Sequence, residues 1–216
     1  MYKIELTESY FPSQNDAVIR DITVGELLRE IAESHSENIA LVDISENGDV
    51  NKSWSYSELL SEAVTLSYSL SSRFHKGEKV VVWAPNIPQW IFMEYACALS
   101  GIVLVTANPS FQTKELKYVI EQSGAVGVFL VSEYRGNKME MIAKDAIEGN
   151  CKIRELTDLD NRKALYHEGG IKDNLSAVQP DDPAQIQYTS GTTGFPKGAV
   201  LSHKSLLNNA KIYCDR

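Results

Sequence analysis

Residues Gln185 to His203 read QIQYTSGTTGFPKGAVLSH. Two largely apolar stretches, AQIQYT and GAVLSH, predict strands on either side of a run of Ser, Thr and Gly that ends in Pro196 and Lys197. Eight residues, Ser190 to Lys197, then join strand to strand, where two-residue connections are commonest and longer donor-rich ones usually have a use. Small and glycine positions let several N–H groups point at one centre, an anion-binding nest. The hydroxyls of Thr189, Ser190, Thr192 and Thr193 add uncharged donors. Lys197 adds a point charge suited to a phosphate oxygen, and Pro196 lowers the cost of ordering the chain beside it. Each hydrogen bond to a charged acceptor contributes about 1.5–3 kcal/mol. On these residues alone two readings stand: a seat for phosphate, or a polar hairpin turn that holds nothing. The run is not a Walker A loop, because Pro196 precedes Lys197 and Gly198 follows it. Nor does a helix N-terminus follow at once to lend its dipole.

The charge distribution favours the first reading. The 216 residues carry a net charge of −8, yet residues 184–216 hold Lys197, Lys204, Lys211 and Arg216 against Asp215, which makes that segment +3 and the remainder −11. An acidic chain of this kind is a poor match for nucleic acid or an anionic membrane surface. Cys97, Cys151 and Cys214 lie far apart, with neither disulfide-framework nor zinc-ligand spacing, and are expected to be buried or inert thiols in a reducing compartment. The first residues, MYKIELTESYFPSQNDA, have no basic start or apolar stretch of a signal peptide. The most apolar run, WIFMEYACALSGIVLVTA, is broken by Glu94 and Gly101, so it predicts a buried helix and a buried strand rather than a membrane span. The expected location is the cytoplasm.

Outward from the loop, the pattern is that of an α/β protein. In DITVGELLREIAES, Thr23 and Glu26 have capping-box spacing, and Val24, Leu27, Leu28, Ile31 and Ala32 form one apolar face. In WSYSELLSEAVTLSYSL, Ser55 and Glu58 repeat the device, with Leu59, Leu60, Ala63, Leu66, Ser67 and Leu70 facing inward. Between these helices, IALVDI and a short partner before Trp54 predict two strands joined by a turn. From Lys79 onward strands and helices alternate: KVVVWAP, a helix from Pro88 to about Ser100 ended by Gly101, IVLVTA, a helix capped by Thr113 and closed by Gly124, AVGVFLV, a helix in NKMEMIAKDAIEGN, and a possible fourth strand in KIRELTDL. Such continuous apolar strands imply a mostly parallel sheet flanked by helices. LSAVQPDDPA is the expected linker. A helix from about Lys204 has no stop signal before Arg216, which suggests a fragment of a longer protein. The expected division is 1–178 as an N-terminal lobe and 179–216 as linker, loop hairpin and the start of a further subdomain.

The string YTSGTTGFPKGAVLSH closely resembles the phosphate-loop signature of adenylate-forming (AMP-binding) enzymes: acyl-CoA synthetases, aryl-CoA ligases, adenylation domains and luciferases. WSYSELL, APNIPQWIFMEYACALSG and TANPSFQTKELKYVIEQSGA resemble that family's N-terminal lobe in the same order, so nearly the whole chain is covered. With EYRGN, the flavour is most similar to medium-chain fatty acyl-CoA synthetases. The resemblance implies that ATP and a carboxylate, here a fatty acid, give an acyl-adenylate and pyrophosphate, after which coenzyme A displaces AMP as a thioester. It implies that Thr189, Ser190, Gly191, Thr192, Thr193 and Gly194 cradle phosphate, with Mg2+, and that Lys197 neutralises charge on the departing pyrophosphate. No metal ligand is assigned. His203 is expected to start a helix rather than act as a base, since no Asp or Glu lies beside it in sequence. The family's adenine motif, its later Tyr-Gly-x-Thr-Glu segment, its ribose-binding aspartate, its hinge and its adenylation lysine lie downstream of such a loop. No catalytic residue is therefore expected within these 216, and the isolated chain is expected to be inactive. The alternative is a non-catalytic nucleotide-binding remnant, or one that associates with a full-length relative.

Overall fold

The computed structural model describes residues 18–45, 47–166, 177–189 and 196–214. Among these, the elements run α1 (Val24–Ser34), β1 (Ile39–Ile44), β2 (Val50–Ser55), α2 (Tyr56–Ser71), β3 (Lys79–Trp83), α3 (Pro88–Ser100), β4 (Val103–Thr106), α4 (Thr113–Ser123), β5 (Gly127–Leu130), α5 (Met139–Ile147), β6 (Glu155–Asp158), α6 (Arg162–Leu165), β7 (Pro183–Thr189), β8 (Lys197–Ser202) and α7 (His203–Cys214). β1 and β2 form a separate antiparallel pair, and the other strands form one sheet in the order β6-β5-β3-β4-β7-β8. β3 to β7 are parallel, and β8 alone runs antiparallel, against β7. The chain is thus the mostly parallel α/β layer that its apolar runs imply.

β3 explains why. Val80, Val81, Val82 and Trp83 are all fully buried, so neither face of the strand meets water. A continuous β-branched run has no polar face to present and must be covered on both sides. Right-handed crossovers supply the cover. The path β3–α3–β4 steps to one side of β3, and β4–α4–β5 steps back across it, which puts α3 and α4 on opposite faces. α1 and α2 pack with α3, and α5 packs with α4.

The helix ends follow local chemistry. Both capping boxes form: Thr23 Oγ1 accepts from the Glu26 amide at 3.1 Å while Glu26 accepts from the Thr23 amide at 2.7 Å, and Ser55 and Glu58 do the same at 3.3 and 2.8 Å. Pro88 opens α3 and Gly101 closes it at φ 71°, a left-handed conformation that costs glycine little. The cap of α4 is Gln112, not Thr113. Gln112 is extended, Thr113 is already helical, and Glu115 accepts from the Gln112 amide at 3.1 Å. α6 was not expected. Its single turn is too short to show periodicity, and Asn161 caps it by accepting from the Ala164 amide at 3.2 Å.

The structure adds detail to two further readings. Of the three free cysteines, only Cys97 is buried; Cys151 and Cys214 are exposed. The described end of the expected linker is held in place: Lys76 Nζ pairs with Asp182 at 2.8 Å and donates to the Ala177 carbonyl at 2.7 Å. Residues on both sides of the 178/179 division share the six-stranded sheet, because β7 lies directly against β4. No described helix is long and apolar enough to cross a membrane.

Each capping box should be worth about 1 kcal/mol. Thr23→Ala and Ser55→Ala are each expected to lower the unfolding free energy by about that amount in urea titration. No change in midpoint for either variant would show that tertiary packing alone holds the start of that helix.

Candidate nucleotide-phosphate site

The parallel strands end together, so their C-terminal connections gather along one edge of the sheet. Chain order reverses between β3 and β5, whose onward connections leave in opposite directions, the kind of place where open α/β sheets form a binding crevice. β7 is the next strand beyond β4, and its C-terminal end leads into the Ser/Thr/Gly run. Thr189 and Lys197 are directly opposed and form the last ladder pair of the β7–β8 hairpin. The structure therefore brings these two candidate residues together at the mouth of the connection. Ser190, Gly191, Thr192, Thr193 and Gly194 lie outside the described residues. The connection runs strand to strand, as read from the sequence.

The hairpin stem has two differently furnished faces. Ile186 and Tyr188 alternate with Gln185 and Gln187 along β7. On the first face, Tyr188 lies opposite Gly198. A Cβ at Gly198 would stand 3.0 Å from Ile186 Cγ2 and 3.1 Å from Tyr188 Cζ, so only the absent side chain lets the ring approach. The Tyr188 hydroxyl donates to Gln122 Oε1, and the Tyr118 hydroxyl donates to the Pro196 carbonyl at 3.2 Å. Sequence reasoning assigned no role to Tyr118, Gln122 or Tyr188. The available signal was the i, i+4 spacing of Tyr118 and Gln122, which sets them on one face of α4.

On the second face, Gln187 Nε2 donates to Gln185 Oε1 at 2.8 Å, and Gln185 Nε2 donates to Glu94 Oε1 at 3.0 Å. Glu94 is the residue that interrupts the apolar run of α3. Its carboxyl is held above the usual range by burial, opposed by the hydrogen bond from Gln185. Beside it lies a cavity of about 250 Å³, lined mainly by apolar groups from α1, α3, β4, β7 and α7. Burial, with Glu94 adding to it, also pushes up the Cys97 thiol, which makes that cysteine an inert one.

His203 begins α7 and is fully buried. Its Nδ1 accepts from the Val24 amide at 3.4 Å, and its own amide donates to the Asp182 carbonyl at 3.3 Å. Burial lowers its pKa, against the opposing pull of Asp182 and Glu26. A neutral ring joining the start of α1 to the start of α7 is a packing role. No group of three or more His, Cys, Asp and Glu among the described residues could hold a metal ion. The described donors at the loop mouth, one hydroxyl and one ammonium, suit phosphate oxygens rather than a cation.

A family model described as AMP-binding enzyme matches residues 28–216. The medium-chain acyl-CoA ligase ACSF2 of Mus musculus, named as mitochondrial, is 31% identical over 96% of this chain and 38% of its own length. The putative acyl-CoA synthetase YngI of Bacillus subtilis is 30% identical over 87% of this chain and 39% of its own. The chain thus spans about two fifths of the curated relatives it matches. Among solved structures, VinN with 3-methylaspartate superposes with a TM-score of 0.74 at 25% identity, covering 90% of this chain and 51% of that one. The Mycobacterium smegmatis MbtA apo structure gives 0.79 at 22% identity, covering 91% and 36%, and shares the fold.

Glu94→Gln keeps the hydrogen bond to Gln185 and removes the charge. A carboxyl whose folded pKa is raised costs nothing below its unfolded pKa, and its cost grows as pH climbs towards the folded value. The variant should therefore match the parent near pH 4 and exceed it in stability near pH 7. Urea midpoints that differ by the same amount at both pH values would contradict the burial of this charge.

Proposed function

The chain belongs to the AMP-binding enzyme family, and from that premise we propose that it is the phosphate-gripping portion of an acyl-CoA ligase. In this reading ATP and a carboxylate, a fatty acid, yield an acyl-adenylate and pyrophosphate. Coenzyme A then attacks the acyl carbon, forming a thioester as AMP leaves. The support is twofold. The chain is 31% identical to a medium-chain acyl-CoA ligase along almost all of its length. Thr189 and Lys197 face each other at the mouth of a donor-rich connection on the C-terminal edge of a parallel sheet.

The roles assigned to this chain are positioning and charge. Thr189, Ser190, Gly191, Thr192, Thr193 and Gly194 are proposed to hold the β- and γ-phosphates of ATP through hydroxyls and main-chain amides. Lys197 is exposed and free to extend; its ammonium is proposed to offset the charge that builds on pyrophosphate as the bond to the α-phosphorus breaks. That is electrostatic stabilisation without a covalent step. Magnesium would accompany the nucleotide and supply charge neutralisation; no residue here is assigned to it. The acid–base chemistry of adenylation is not assigned to any of these 216 residues, and His203, neutral and enclosed, does not supply it. The division at 178/179 and a cytoplasmic location belong to the same proposal.

Carboxylate-dependent ATP–pyrophosphate exchange with a panel of straight-chain fatty acids tests the reading. The 216-residue chain should bind ATP–Mg without exchange, whereas a longer product of the same reading frame should exchange. There, Lys197→Ala should cut the exchange rate about 100-fold with an unchanged melting temperature. Exchange that is indifferent to Lys197 would remove the charge role given to it.

A further inference from the structure

We propose that Tyr118 is a positioning residue that sets the place of Lys197, an inference resting on the reading that this connection takes phosphate. Tyr118 lies in α4, outside the phosphate-loop string altogether. Its hydroxyl donates to the Pro196 carbonyl at 3.2 Å. That carbonyl and the Lys197 amide belong to one planar peptide unit. Holding the oxygen fixes the plane and the place of the Lys197 Cα, and the pairing of Lys197 with Thr189 then sets the direction in which the side chain leaves the backbone.

The surroundings give this contact weight at that end of the hairpin, beside the ladder pairing of Lys197 with Thr189. Pro196 has no amide hydrogen and a locked φ, so its carbonyl is its only main-chain hydrogen-bonding group. The lysine stem is flexible and its head is exposed, so the stem itself cannot define where the ammonium sits. The rest of the same helix face grips the preceding strand: Gln122 accepts from the Tyr188 hydroxyl, and Tyr188 lies opposite Gly198, next to Lys197. α4 therefore clamps both strands of the stem, Tyr188 of β7 through Gln122 and the entry to β8 through Tyr118. A charge anchored in advance spends less free energy on ordering when the anion arrives.

Trypsin reads this directly, because Lys197 is exposed and followed by Gly198. The experiment compares the full 216-residue chain with Tyr118→Phe, which keeps the ring. Cleavage after Lys197 is measured against cleavage after the exposed Lys152, with and without ATP–Mg. The variant should raise the Lys197-to-Lys152 cleavage ratio about 5-fold without ATP, the effect of one lost hydrogen bond. It should also need about 5-fold more ATP–Mg for half-protection, at an unchanged melting temperature. A bond that only supported the fold would instead lower the melting temperature and speed cleavage at both sites alike. An unchanged ratio, with ATP–Mg still protecting the parent chain, overturns the role of Tyr118 and leaves the phosphate reading intact. A raised ratio with no protection of either chain at any ATP–Mg concentration overturns the phosphate reading, and the positioning role with it.

Discussion

The pairing of β7 with β4 on one side and β8 on the other is the constraint from which the candidate site follows. Its register sets Leu104 beside Gln185 and Val105 beside Ile186, and closes the hairpin on Thr189 and Lys197. Side chains alternate along a strand, so a slip of one residue would exchange its two faces. Ile186 and Tyr188 would leave the α4 side, and Gln185, which bonds Glu94, would replace them together with Gln187. The ring of Tyr188 would lose the space that Gly198 leaves for it.

Buried polar groups tie this strand to the rest of the molecule. Gln185 is almost wholly enclosed, and it is satisfied by Glu94 on one side and Gln187 on the other. Such a chain of amides and a carboxyl is costly to bury unless each link is made. His203 has a comparable role beyond the end of β8, where it joins the beginnings of α1 and α7. The residues proposed to face an anion lie at the edge of the sheet, while these buried groups hold the framework behind them. At the opposite edge of the sheet Arg73 does similar structural work, bonding Glu155 of β6 at 2.7 Å and the Leu165 carbonyl at 2.9 Å.

Similarity to acyl-CoA ligases and the geometry of the hairpin bear on different aspects of the functional reading. The relatives speak for a ligase that makes adenylates, and the identity of its acid is left to the proposal. The geometry speaks for where a polyphosphate would be met: beside β4, at the C-terminal edge of the parallel sheet. Loop residues alone could have been a polar turn. An ammonium opposed to a hydroxyl at the C-terminal edge of a parallel sheet is a more specific arrangement, because the fold leads the chain there.

Sequence by itself determined what depends on neighbours in the chain. The two capping boxes, the start of α3 at Pro88 and its end at Gly101, the apolar β3 run and the strand–connection–strand reading of residues 185–203 were all legible, because each is decided within a few residues. Tertiary structure alone decided what depends on distance in the chain: that β7 enters the sheet beside β4, that Cys151 and Cys214 face solvent, and that Tyr118 meets Pro196 across 78 residues. Periodicity tells which face of an element is buried but not what it is buried against. The partners of Glu94, His203 and Tyr118 were therefore invisible until the sheet order was known.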